Sequence, residues 1–131
     1  MKSKLFLLIA SILGSAGLLI AESAPPIVCN LKSLTPEQRK QMGGIGQHVI
    51  SAITQSRELK DGYTFRVEAE KASLVDVARW LDLWRRCCPF YDFRIDFHAA
   101  DATVWLSVTG RKGVKEYIAI DVPQLAAKLS K

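Results

Sequence analysis

The sequence has few side chains that carry catalytic or metal-binding chemistry. It contains only two histidines, His48 and His98, and three cysteines, none of which forms a C-x-x-C pair. It also lacks a nucleophilic serine motif and any Cys–His–Asp spacing typical of a thiol enzyme. The basic residues are scattered, and no basic run interleaves with aromatic residues as in a nucleic-acid interface. We therefore expect no nucleic-acid partner, although the formal net charge is +5.

No apolar run in the sequence reaches the length of about 20 residues that a membrane-spanning helix needs. The longest one, residues 5–21, is uncharged and follows Lys2 and Lys4. Small residues at Ala21 and Ser23 then fit peptidase cleavage after Ser23. This pattern predicts a signal peptide at 1–23 and a periplasmic or secreted protein, with no stable membrane insertion after cleavage. The alternative is an uncleaved membrane anchor.

The remaining chain has the length of one domain with one hydrophobic core. We interpret residues 24–34 as a linker and residues 35–131 as a single domain. The domain begins with a helix start, because Thr35 is a capping residue, Pro36 suits the first helical position and Gln38 completes a capping box.

This first predicted helix carries three glycines close together, Gly43, Gly44 and Gly46. Each glycine destabilises a helix interior by about 1 kcal/mol relative to alanine. We therefore expect the first helix to be weakened or broken at this point.

The rest of the chain alternates between strand and helix patterns. Alternating apolar residues predict strands at 63–68, 93–98 and 103–109, and helical spacing predicts helices at 74–88 and from residue 114 to residue 121. The element order α-β-α-β-β-α indicates an α+β domain. We expect a small three-stranded, largely antiparallel sheet with helices packed on one face.

Four segments of the chain are distinctive: CNLKSLTPEQR, ELKDGYTFRV, RRCCPFYDFRIDF and VWLSVTGRKGVKEYI. Through them nearly all of the predicted mature chain resembles a family of small bacterial proteins with the pattern C…LTPEQR…RCCPF…VWL.VTG..GVKE. The resemblance implies a loose association with heavy-metal-responsive genes, but no mechanism. This chain departs from the family pattern at Trp84, where a carboxylate is usual, and in the glycines of its first helix.

The three cysteines support a first hypothesis, in which the protein binds a soft metal or metalloid ion. Thiolates are the ligands that mercury, arsenite, copper(I) and zinc favour. Cys29, Cys87 and Cys88 would form a trigonal site if the bend at the end of the second helix lets the adjacent pair reach one ion. His98 or His48 is a candidate fourth ligand for zinc.

Two further hypotheses use the same cysteines differently. In the second, Cys29 pairs with Cys87 or Cys88, and the protein is a disulfide-stabilised structural or protein-interaction module of the cell envelope without metal; such a cross-link would stabilise the fold by about 4 kcal/mol. In the third hypothesis, the protein is a thiol-dependent enzyme that uses Cys87. Its place at a helix C-terminus disfavours the thiolate, which Arg85 and Arg86 offset only in part.

Overall fold

The computed structural model describes residues 17–18 and 23–129. The predicted signal peptide therefore lies almost entirely outside the described residues, as do residues 130–131. Of the helices in the described part of the chain, none has both the length and the hydropathy needed to span a bilayer.

The described chain forms an α+β fold built on a four-stranded antiparallel sheet. A short 3-10 turn at Leu31–Ser33 comes first. The elements that follow are α1 (Pro36–Ser51), β1 (Ile53–Leu59), β2 (Gly62–Glu68), α2 (Leu74–Cys87), β3 (Asp92–His98), β4 (Thr103–Thr109), α3 (Val114–Asp121) and α4 (Pro123–Ala126). The α+β class is as predicted, whereas the three-stranded sheet and the order α-β-α-β-β-α are wrong because β1 was missed.

Two antiparallel hairpins make up the sheet, whose strand order is β1-β2-β4-β3. The hairpins join through the central pair β2 and β4, in which Phe65 lies opposite Leu106. In the second hairpin, Ile95 lies opposite the same Leu106. Side chains in register point to the same face of a sheet, so these three residues form one apolar row.

The sequence does not predict strand β1, an edge strand, because most of its side chains are exposed. Its only buried residue is Ile53. Ile53 lies four residues after Val49 and therefore also fits the helical pattern of α1. A bulge between Ile53 and Gln55 further disturbs the alternation. Polar edges of this kind are common in sheets, and they weaken the period-2 pattern by which strands are recognised.

Helix α1 is continuous across its three glycines. The expectation was a weakened or broken helix, and the break is contradicted. The predicted capping box is present, with Thr35 and Gln38 bonding each other's backbone N–H groups. Gly46 is buried against α2, and a Cβ added there would lie 2.6 Å from Nε1 of Trp80. The glycine therefore allows α1 to approach α2 closely, and packing between the helices offsets its low helix propensity.

The core lies between the helices and one face of the sheet. Phe65 and Leu106 from the sheet and Val77 and Ile118 from the helices have no exposed side-chain surface. The opposite face of the sheet is polar, and there the guanidinium of Arg57 lies 4.3 Å from the ring centre of Trp105.

Candidate functional site: a disulfide, a buried thiol and a carboxylate

The segment that precedes α1 is attached to the C-terminal end of α2. The backbone N–H of Asn30 donates to the carbonyl of Cys87 at 2.7 Å, and the hydroxyl of Ser33 donates to the carbonyl of Arg86 at 2.9 Å. The last carbonyls of a helix have no partner within the helix, so these two bonds cap α2. Residues 29–34 of the predicted linker are therefore in contact with the domain.

A disulfide between Cys29 and Cys88 fixes this contact covalently. The two cysteines are 59 residues apart in sequence, and their Cα atoms are 4.5 Å apart. Cys88 follows the last residue of α2, and its backbone N–H still bonds the carbonyl of Trp84. Of the two partners that the sequence offers for Cys29, the structure pairs it with Cys88 rather than Cys87.

Cys87 is a free and buried thiol beside this disulfide. Its Sγ lies 3.5 Å from Sγ of Cys88 and 3.8 Å from Sδ of Met42, and it donates to the carbonyl of Trp84 at 3.3 Å. Burial, together with the negative charge of Asp121, raises the pKa of Cys87. A protonated thiol is a poor nucleophile, so this environment does not favour the hypothesis of a thiol enzyme.

Asp121, the last residue of α3, connects α2 and the disulfide. Its Oδ2 accepts hydrogen bonds from Nε1 of Trp84 at 3.2 Å and from the hydroxyl of Tyr91 at 2.9 Å. Its Oδ1 lies 3.4 Å from Sγ of Cys29. A disulfide sulfur has no hydrogen to donate, so this last distance is a close contact in the oxidised protein and becomes a hydrogen bond only with a reduced thiol.

Burial raises the pKa of the Asp121 carboxyl above its ordinary value of 3.8, against the opposing effect of the bonds from Tyr91 and Trp84. The phenol is affected in the same sense, because burial and the nearby carboxylate raise the pKa of Tyr91. Desolvation therefore dominates over hydrogen bonding at this carboxyl group.

A cleft of about 650 Å³ opens between α1 and α2, and the three cysteines and Asp121 are among the residues that line it. Indole rings line it from the α2 side, where Trp80 and Trp84 stack with ring centres 4.8 Å apart at 18°. The α1 side contributes Met42, Gly43 and Gly46. Mostly apolar clefts of this size are typical of small-molecule sites.

The three predicted ligand residues do come together in the fold, but two of them are bonded to each other. Ligand atoms of Cys29, Cys88 and Asp121 all lie within 4.8 Å of one another, and Cys87 adjoins them. Neither histidine belongs to this group: Nε2 of His48 lies 3.9 Å from the carboxylate of Asp76, and His98 is exposed at the end of β3.

Sequence reasoning missed Asp121, which was interpreted only as part of a helix end. One indication was available. A carboxylate in the last turn of a helix meets the negative end of the helix dipole, which is unfavourable without hydrogen-bond donors from elsewhere. Here Trp84 and Tyr91 supply those donors.

No protein-family model, curated protein or solved structure matches this chain. The site must therefore be interpreted from its own geometry and chemistry.

The dominance of burial at Asp121 predicts a pH dependence of stability. A carboxyl whose pKa is raised by folding stabilises the native state below its unfolded pKa, and this contribution is lost as pH rises through the folded pKa. We expect the free energy of unfolding of the wild type, minus that of Asp121→Asn, to fall as pH is raised from 3.5 to 7. Urea denaturation at several pH values measures this difference, in which the titration of other carboxylates cancels.

The control is Asp92→Asn, which removes an exposed carboxylate at the start of β3. It corrects for the loss of one negative charge at an exposed position that does not line the cleft. If the difference for Asp121→Asn instead rises with pH, the bonds from Trp84 and Tyr91 stabilise the ionised form more than burial disfavours it.

Proposed function

We propose that this chain is an exported small binding protein whose fold is held by the Cys29–Cys88 disulfide and whose binding site is the cleft between α1 and α2. The observation that carries the proposal is the disulfide itself, which ties the segment before α1 to the end of α2. Protein disulfides persist mainly outside the cytoplasm. The apolar run at 5–21, preceded by Lys2 and Lys4, supports export to the periplasm or the medium.

The binding role is supported by the position of the cleft. Cys29, Cys88 and Asp121 line it, together with the tryptophans of α2. A cross-link that orders residues 29–34 therefore also orders the surface on which a ligand would lie. Burial of the free Cys87 thiol supports a binding role over a catalytic one.

Mass spectrometry of the protein isolated from the cell envelope or medium tests this proposal. We expect a chain that begins at Ala24, an intact mass two hydrogens below that of the fully reduced chain, and a cross-linked peptide that joins Cys29 to Cys88. Cys87 should then be the one cysteine that reacts with an alkylating reagent after denaturation. Recovery of a chain with three free thiols would contradict the proposal, as would a cross-link between Cys87 and Cys88.

A second candidate function, capture of a soft metal or metalloid ion, applies to the reduced protein. The convergence of three cysteine sulfurs favours it, with the thioether of Met42 3.8 Å from Sγ of Cys87 and Asp121 beside Cys29. Soft sulfur ligands select soft ions. The disulfide and the metal site are thus two oxidation states of one cluster, because the Cys29–Cys88 bond must be reduced before both sulfurs bind an ion.

For this second candidate we expect one equivalent of Hg(II) or arsenite to protect all three cysteines of the reduced protein from alkylation. Denaturant is added together with the alkylating reagent, so that burial of Cys87 does not itself slow the reaction. The matched control is Cys29→Ser, which leaves only the adjacent pair and should need a several-fold higher ion concentration. Equal alkylation of Cys29 with and without the ion would rule out the three-sulfur site.

A further inference from the structure

The cleft between α1 and α2 contains a polar group that has no partner. Trp80 is only 4% exposed, and its Nε1 lies next to Gly46 in the wall of the cleft. Across residues 17–18 and 23–129, no hydrogen bond reaches this indole nitrogen, whereas the nitrogen of Trp84 bonds Asp121. A donor without a partner in the protein can bond an acceptor from a ligand.

This nitrogen is accessible from the cleft. In the described part of the chain, every fully enclosed side-chain nitrogen or oxygen has a hydrogen-bond partner. Since Nε1 of Trp80 has none, it is not fully enclosed, and Trp80 lines the cleft. The N–H group of the Trp80 indole, which is otherwise buried, is therefore accessible to a ligand in the cleft.

Glycine in α1 keeps the opposite wall open. A Cβ at Gly43, which lines the cleft, would meet no atom within 4 Å. A Cβ at Gly46 would collide with the indole of Trp80. Glycine lowers the stability of a helix interior. In α1 it stands where a side chain would fill the cleft, at Gly43, or push the helices apart, at Gly46.

The charges around the cleft favour an uncharged occupant. Among the described residues, no lysine or arginine lines it, so an anion finds no countercharge there. The single carboxylate, Asp121, already accepts two bonds at Oδ2 and faces the disulfide with Oδ1. Apolar lining with a few placed polar groups is typical of sites for small organic molecules.

We propose that the cleft binds an uncharged organic molecule, one of whose acceptor atoms accepts a hydrogen bond from Nε1 of Trp80. This inference rests on the proposed binding role and names the class of ligand. The indoles of α2 supply an apolar wall, and Gly43 supplies the room on the α1 side. Cys29, Cys88 and Asp121 also line the cleft.

Fluorescence titration with Nile red tests the proposal, because this probe is uncharged and carries a carbonyl acceptor. We expect saturable binding of one probe per chain. Gly43→Leu should weaken it at least tenfold, since the new side chain occupies the cleft. The matched control is Gly44→Leu, at a neighbouring exposed position of α1 that also has no atom within 4 Å of an added Cβ and does not line the cleft. Both variants replace glycine by a better helix former, so both should fold.

A third variant, Trp80→Phe, removes the indole N–H and should weaken Nile red by between about twofold and tenfold, the range expected for one hydrogen bond. The anionic probe anilinonaphthalene sulfonate should bind more weakly than Nile red to the unmodified protein. The proposal is overturned if binding does not saturate, or if Gly43→Leu and Gly44→Leu bind Nile red equally well. Neither variant alters the cysteines, so this result is independent of the test of the disulfide.

Discussion

The bond between Cys29 and Cys88 is the constraint on which the arrangement of the site depends. Without it, the segment before α1 is held to α2 by the bonds from Asn30 and Ser33 and by the buried side chain of Leu34. A single backbone hydrogen bond contributes only about 1 kcal/mol net. The covalent link makes this weak contact persistent, and it places a sulfur of the N-terminal segment against Asp121.

Local signals in the sequence predicted local structure well. The capping residue Thr35 begins α1 as expected, because a cap depends only on neighbours within one turn. Strand β1 was missed because its side chains are mostly exposed and do not alternate between apolar and polar, so only its pairing with β2 reveals it. The continuity of α1 was also missed, because the contact between Gly46 and Trp80 joins residues far apart in sequence.

The candidate site was likewise predicted in part. The sequence identified Cys29, Cys87 and Cys88 as the residues with distinctive chemistry, and the structure brings their sulfurs together. The sequence could not identify which of Cys87 and Cys88 is bonded to Cys29, since both lie at the end of the same helix. The sequence does not single out Asp121, because the residues that donate hydrogen bonds to it, Trp84 and Tyr91, lie on α2 and on the segment after α2.

The two main hypotheses for this protein describe one cluster in two oxidation states. In the oxidised state, Cys29, Cys88, Asp121 and the tryptophans of α2 line the cleft that we propose as a binding site. In the reduced state, the same sulfurs are the ligands of the proposed soft-ion site. Disulfides persist mainly outside the cytoplasm, so the proposed export would favour the oxidised state.

The most direct measurement is the free energy of unfolding of the oxidised protein compared with that of the reduced protein, by urea denaturation without metal. Closing a loop of 59 residues should stabilise the oxidised form by about 4 kcal/mol, and Cys29→Ser should match the reduced wild type. Equal stability of the oxidised and reduced protein would contradict the account, because the disulfide would then not hold the fold together.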